Sequence, residues 1–154
     1  MAEFVLAHIL DEVEVGDRFT MWPLHVTLLP PFQADNANEV LENIKPITDS
    51  TLPIFAQAGE LAQFGTKIFV RKIVINPELQ ALHNKILQLA QNLGWQTSGK
   101  YVGSYYTPHI TRKSGRDFEG NEFVIKDLHI VEALPQGYRR IIAKLLLGTG
   151  QGVQ

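Results

Sequence analysis

Two of the five histidines in this chain are followed two positions on by a threonine, in His25-Val26-Thr27 and again in His109-Ile110-Thr111. An aliphatic residue separates each pair, and both triplets fall in stretches that read as strands. Side chains of a strand alternate between faces. Each imidazole therefore shares a face with its threonine hydroxyl, while Val26 and Ile110 turn into the opposite layer. An imidazole gives or takes a proton near neutral pH, and the hydroxyl can donate to a non-bridging phosphate oxygen. Two such units facing one cleft suit in-line attack on a phosphodiester without a metal. One histidine takes the proton of the entering water, and the other protonates the departing ribose oxygen. Such a pair titrates as a coupled unit with a bell-shaped rate profile. Arg112, next after Thr111, points to the opposite face of a regular strand, and a twist or bulge there would bring its guanidinium to the phosphate.

The rest of the composition narrows the chemistry. The chain has 154 residues and no cysteine, which removes a disulfide framework, a cysteine nucleophile, an iron–sulfur cluster and every thiolate zinc site. Two histidines with threonines are too few ligands for a closed zinc site, and H-E-x-x-H is absent, so neither a metal nor another cofactor is expected. The net charge of −2 argues against a general duplex-binding protein. Charge is uneven, however. Glu3, Asp11, Glu12, Glu14 and Asp17 crowd the start, whereas Ser98 to Arg116 holds Lys100, Arg112, Lys113 and Arg116 with no acid, which favours an anionic ligand there. No apolar run reaches the roughly 18 residues of a membrane span, and Glu3 stands where a signal peptide would be basic. A cytoplasmic, monomeric protein of one domain over residues 1–154 is expected.

The elements that must position the two triplets can be read along the chain. Phe4 to Leu10 is a short apolar strand, and Asp11 to Asp17, closed by Gly16, a surface loop. Leu24 to Leu29 is a second strand, stopped by Pro30-Pro31. A helix starts at Asn36, with Glu39 completing a capping box and Val40, Leu41 and Ile44 as its apolar stripe, and Pro46 ends it. Strands over Leu52 to Phe64 and Lys67 to Ile75 flank a Gly65-Thr66 hairpin, with a bulge at Gly59. The second helix has Asn76 as N-cap, Pro77 at its first position, an apolar stripe of Leu79, Leu82, Ile86, Leu89 and Leu93, and Gly94 as its stop. A Gly/Ser/Tyr loop over Ser98 to Pro108 leads to a strand at His109 to Arg112. Phe123 to Leu134 and Tyr138 to Leu147 form a closing hairpin through Pro135-Gln136-Gly137, and Gly148 onward is a frayed tail. Hairpins mixed with helices make this an α+β protein rather than a doubly wound parallel sheet.

The other three histidines default to structural roles: His8 within the core or on a sheet face, His83 on the surface or at the boundary of the second helix, and His129 exposed on a sheet face rather than lining a cleft.

His25-Val26-Thr27-Leu28-Leu29-Pro30-Pro31-Phe32 and His109-Ile110-Thr111-Arg112 resemble the paired H-x-T motifs of the 2H phosphoesterase superfamily, in particular its 2′-5′ RNA ligase-like and cyclic phosphodiesterase branches. The first motif is the more specific, since its tail runs through the double proline to an aromatic. The resemblance covers most of the chain. It implies a bilobal α+β fold of two pseudo-symmetric lobes, mostly antiparallel sheet with helices packed outside and a central cleft. It also implies a metal-independent phosphodiesterase that opens a 2′,3′-cyclic phosphate, a related cyclic phosphate or a 2′-5′ linkage. His25 and His109 would be acid and base, in an order left open, and Thr27 and Thr111 the phosphate-oxygen donors. Members acting on tRNA ends are longer and more basic, so a nucleotide or short RNA end is the expected partner here. Phe64, Phe69, Tyr105 and Tyr106 are the aromatics available to stack a base, with Lys67 and Arg112 as phosphate contacts. A non-catalytic module binding nucleotides or RNA ends, and a 2′-5′ RNA ligase, are the alternatives.

Overall fold

A computed structural model describes residues 1–113 and 115–148. Ten strands and two helices follow one another as β1 (Ala2–Ile9), β2 (Arg18–Phe19), β3 (His25–Ala34), α1 (Ala37–Asp49), β4 (Ile54–Phe64), β5 (Ile68–Ile73), α2 (Pro77–Leu93), β6 (Gln96–Thr97), β7 (His109–Thr111), β8 (Glu122–Ile125), β9 (Asp127–Ala133) and β10 (Arg139–Leu146). They form one sheet in the order β2-β10-β9-β1-β3-β7-β5-β4-β8, with β6 added to the end of β3. Every pairing is antiparallel. The α+β class expected from the sequence holds, and the two H-x-T strands β3 and β7 lie side by side at the middle of the sheet, with β1 on the outer side of β3 and β5 on the outer side of β7.

Both helices form as their end signals dictate. The Asn36 side chain accepts from the Glu39 amide and the Asn76 side chain from the Leu79 amide, while Gly94 takes a left-handed φ of 75° that ends α2. One correction concerns α1, which runs through Pro46 to Asp49. The lost backbone donor is outweighed because the buried stripe of Val40 and Ile44 continues past it to Thr48, whose hydroxyl donates to the Lys45 carbonyl. The helices bury Val40, Ile44, Leu79, Leu82, Ile86 and Ala90 in one core with Val26, Leu28, Ile54, Ile110, Ile125 and Leu128 from the strands. The aliphatic residue of each H-x-T triplet is thus a core anchor, fully buried at Val26 and nearly so at Ile110. A smaller cluster of Ile9, Val131 and Ile141, with Val13, Phe19 and Trp22 against it, is separate.

Three strand expectations need correction. β3 does not stop at the double proline but continues to Ala34. Its register against β1 shifts between Leu29 and Phe32, so Pro30 and Pro31 occupy the irregular stretch where missing donors cost least. The segment from Phe123 to Leu134 is two strands broken at Lys126: β8 pairs with β4 at one sheet edge, and β9 pairs with β1 and β10 in the other half. Its unbroken strand propensity hides a change of partner. His129 is buried rather than exposed, because β9 is covered on both faces. The bulge at Gly59 is present, as a register shift between Ala58 and Leu61, and a Cβ there would lie 2.8 Å from the Lys72 carbonyl oxygen. Gly148 donates to the Thr48 carbonyl, and the remainder of the expected tail lies outside the described residues.

The three non-motif histidines are all buried. His8 Nδ1 donates to the Asp127 carbonyl at 2.9 Å and lies 3.1 Å from its carboxylate, with His129 and Lys144 on the same acid at 3.8 and 3.9 Å. Burial opposes the charge on Asp127, but the His8 hydrogen bond and the nearby His8, His129 and Lys144 charges prevail and hold its pKa below the usual range. No helix among the described residues is long and apolar enough to cross a membrane. Hydrogen bonds to a buried charge contribute about 1.5–3 kcal/mol. Asp127→Asn is expected to lower unfolding free energy by about that amount in urea titration; a loss below about 0.5 kcal/mol would show the cluster to be energetically idle.

Candidate active site

The register of β3 against β7 pairs Val26 with Ile110. In an antiparallel pair this sets His25 across from Thr111 and Thr27 across from His109, all four side chains on the face away from the helical core. Each histidine is oriented in the same way. His25 Nδ1 donates to the Pro23 carbonyl at 2.8 Å and His109 Nδ1 to the Thr107 carbonyl at 2.7 Å, in both cases the residue two positions upstream. With Nδ1 committed to a carbonyl, Nε2 is the atom left to exchange a proton.

The surroundings of the two rings differ. His25 lies under Trp22, centroids 4.4 Å apart, and Trp22 is held edge-on by Phe19 at 5.0 Å with the Arg139 guanidinium over its ring. Burial, with the Lys113 and His109 charges acting in the same direction, outweighs the Pro23 carbonyl and pushes the His25 pKa down to about 4. His109 instead packs against Phe64, centroids 5.1 Å apart, and the Lys72 ammonium lies 5.5 Å from the centre of that same Phe64 ring. It also borders a largely apolar cavity of about 160 Å³ lined by Thr27, Pro30, Gly99, Tyr101, Tyr106, Thr107 and Pro108. Among the described residues, no group of three or more His, Cys, Asp or Glu is arranged to hold a metal ion.

A scan against family models matches residues 7–134 to the 2′-5′ RNA ligase superfamily. The chain belongs to that superfamily. The superfamily member resembles three crystal structures along nearly their whole length: E. coli LigT complexed with 3′-AMP (TM-score 0.62, 14% identity, 95% of this chain and 98% of that one), a phosphoesterase (0.61, 14%, 96% and 99%) and TT0787 of Thermus thermophilus (0.54, 15%, 97% and 100%). LigT has also been crystallised with NADP+ and with ATP. At these identities the likeness speaks for the fold. No curated protein matches the chain by sequence.

The structure brings His25, Thr27, His109, Thr111 and Phe64 together and sets other expected contacts aside. Arg112 stays on the opposite face, where it forms a two-pronged ion pair with Asp117 at 2.8 Å and lies over Phe69 at 5.4 Å, so both Arg112 and Phe69 face away from the histidines. Lys67 sits in the turn between β4 and β5; the lysine level with His109 is Lys72, its ladder partner. Tyr105 is exposed on a single 3-10 turn over Gly103–Tyr105, outside the cavity beside His109. Tyr106 has one ring face occupied by His83 and its hydroxyl by the Thr27 carbonyl. Motif spacing alone misses Trp22, Lys72 and Lys113. Lys113 was legible, since positions 109, 111 and 113 share a face under the alternation already used for the triplets. Its loop is tied to the residue before β3 by Asp11, whose carboxylate accepts from the Leu24 amide at 2.8 Å and from Arg116 at 2.7 Å.

The depressed His25 pKa has a measurable sign. An unfolded histidine titrates near 6.5, so between 6.5 and about 4 the unfolded chain binds a proton that the fold refuses, and stability falls as pH falls. Above 6.5 the group contributes no pH dependence. His83 and His129, also lowered, act in the same direction. Between pH 7 and 4 the wild type should lose about 3 kcal/mol more unfolding free energy than His25→Gln. Parallel stability curves for the two proteins would contradict the desolvated state of His25.

Proposed function

We propose that this protein is a metal-independent phosphodiesterase that hydrolyses the 2′,3′-cyclic phosphate, or a related cyclic phosphate or 2′-5′ linkage, of a nucleotide or short RNA end. The observation that carries the reading is the pair of H-x-T strands joined at Val26 and Ile110, which gathers two imidazoles with free Nε2 atoms and two hydroxyls on one face. The nucleotide complexes of LigT support the ligand class.

The unequal surroundings of the histidines support a division of roles. His25, kept neutral at pH 7, takes a proton from water at Nε2 as the water oxygen bonds to phosphorus. His109, beside the cavity sized for one ring system, is next to the nucleoside side of the substrate. Its Nε2–H protonates the ribose oxygen as the phosphorus–oxygen bond breaks, leaving a phosphomonoester. Solvent exchange returns the proton from His25 to the bulk and restores the one on His109. Thr27 and Thr111 donate to the equatorial oxygens, and the Lys113 and Lys72 ammonium groups flank the negative phosphate on either side. The net charge of −2 leaves little general attraction for structured RNA, so recognition rests on the terminal nucleotide.

The test is turnover of 2′,3′-cyclic nucleotides by chelator-treated protein. His25→Ala and His109→Ala should abolish hydrolysis with the fold intact, and Thr27→Ala or Thr111→Ala should cost about 2–4 kcal/mol in kcat/KM. Full activity in either histidine variant, or product binding with no turnover at any pH, would overturn the hydrolase in favour of a different chemistry or a binding module.

A further inference from the structure

β7 is only three residues long, and its register with β3 contains the single pair Val26–Ile110, whereas β1 and β3 share seven. The junction on which both triplets depend is therefore the thinnest in the centre of the sheet. A second tie crosses it next to that pair: the Tyr106 hydroxyl donates to the Thr27 carbonyl at 2.7 Å. Tyr106 is three residues before His109, and the intervening Thr107 supplies the carbonyl that holds His109 Nδ1. One side chain thus links the backbone of the first triplet to the segment that orients the histidine of the second.

Tyr106 is in turn held from behind. Its ring stacks on His83 with centroids 3.8 Å apart and planes within 6°. His83, on α2, is fully buried rather than at the helix boundary, and it uses both nitrogens: Nδ1 donates to the Leu28 carbonyl at 2.7 Å and Nε2 accepts from the Gly103 amide at 2.9 Å. That arrangement requires one neutral tautomer, and it pins the 3-10 turn whose Gly103 carbonyl accepts from the Tyr106 amide. His83 therefore grips β3 and the turn at the same time, one residue beyond Thr27 on the strand side.

We propose that Tyr106, clamped by His83, is a positioning residue that holds His109 in register with Thr27 and keeps its Nδ1–H on the Thr107 carbonyl. The proposal rests on the two-histidine reading above. It predicts an effect on the chemical step rather than on ligand capture, because neither the hydroxyl of Tyr106 nor His83 is free to contact a substrate.

The experiment compares wild type, Tyr106→Phe and His83→Gln by steady-state hydrolysis of 2′,3′-cyclic AMP and by NMR of the histidine Nδ1–H signals, with thermal unfolding as the fold control. Both variants should lower kcat at least about tenfold with KM changed less than about twofold. In both, the His109 Nδ1–H signal should broaden or vanish through faster exchange while that of His25 persists. An unchanged His109 signal in folded Tyr106→Phe would overturn the proposal, as would equal loss of the His25 and His109 signals, which marks a general loosening. If the wild type turns over no cyclic phosphate, the hydrolase reading fails by itself, and the NMR comparison still decides whether Tyr106 positions His109.

Discussion

The antiparallel contact between β3 and β7 is the constraint from which the site follows. Antiparallel pairing at Val26–Ile110 converts two distant H-x-T triplets into one patch with an approximate two-fold relation, each histidine across from the other triplet's threonine. Burial of Val26 and Ile110 in the helical core supplies the driving force, so the side that faces away from that core is specified without further instruction. The repeated use of the carbonyl two residues upstream then orients both rings with Nδ1 inward and Nε2 outward. Fold and chemistry meet at the same two aliphatic residues.

Symmetry of position is not symmetry of environment. Trp22 and Lys113 act on His25, while Phe64 and an apolar cavity border His109. Burial beneath Trp22 and the nearby Lys113 charge favour the neutral form of His25, a state suited to accepting a proton. Asp11 has a part here: it ties the segment carrying Lys113 to the backbone just before His25, which gives a structural role to an acid that reads in sequence as part of a solvated loop.

The triplets were legible because period-two alternation and a recurring polar pair are local signals, and the ends of α2 were legible because Asn76, Pro77 and Gly94 each act on their own backbone. What escaped is decided by partners far along the chain. Nothing between Phe123 and Leu134 announces that β8 and β9 join opposite halves of the sheet, and Pro46 reads as a helix end until the burial of Thr48 is known. Alternation sets His129 opposite Leu128 and Ile130, but the second covered face of β9 is a tertiary fact. Trp22 lies outside any motif and reaches His25 through its packing on Phe19. Arg112 draws attention by its adjacency to Thr111, although alternation alone favours Lys113.

The central claim is that the two histidines divide the work, with His25 as the neutral base and His109 as the acid. The pH dependence of kcat/KM for 2′,3′-cyclic AMP, measured after exhaustive chelation, tests it most directly. The rate is predicted to fall on the acid side only well below pH 6, as His25 gains a proton with a pKa near 4. An acid limb centred near pH 6.5, where an undisturbed histidine titrates, or activity that appears only when a divalent metal is restored, would contradict the account.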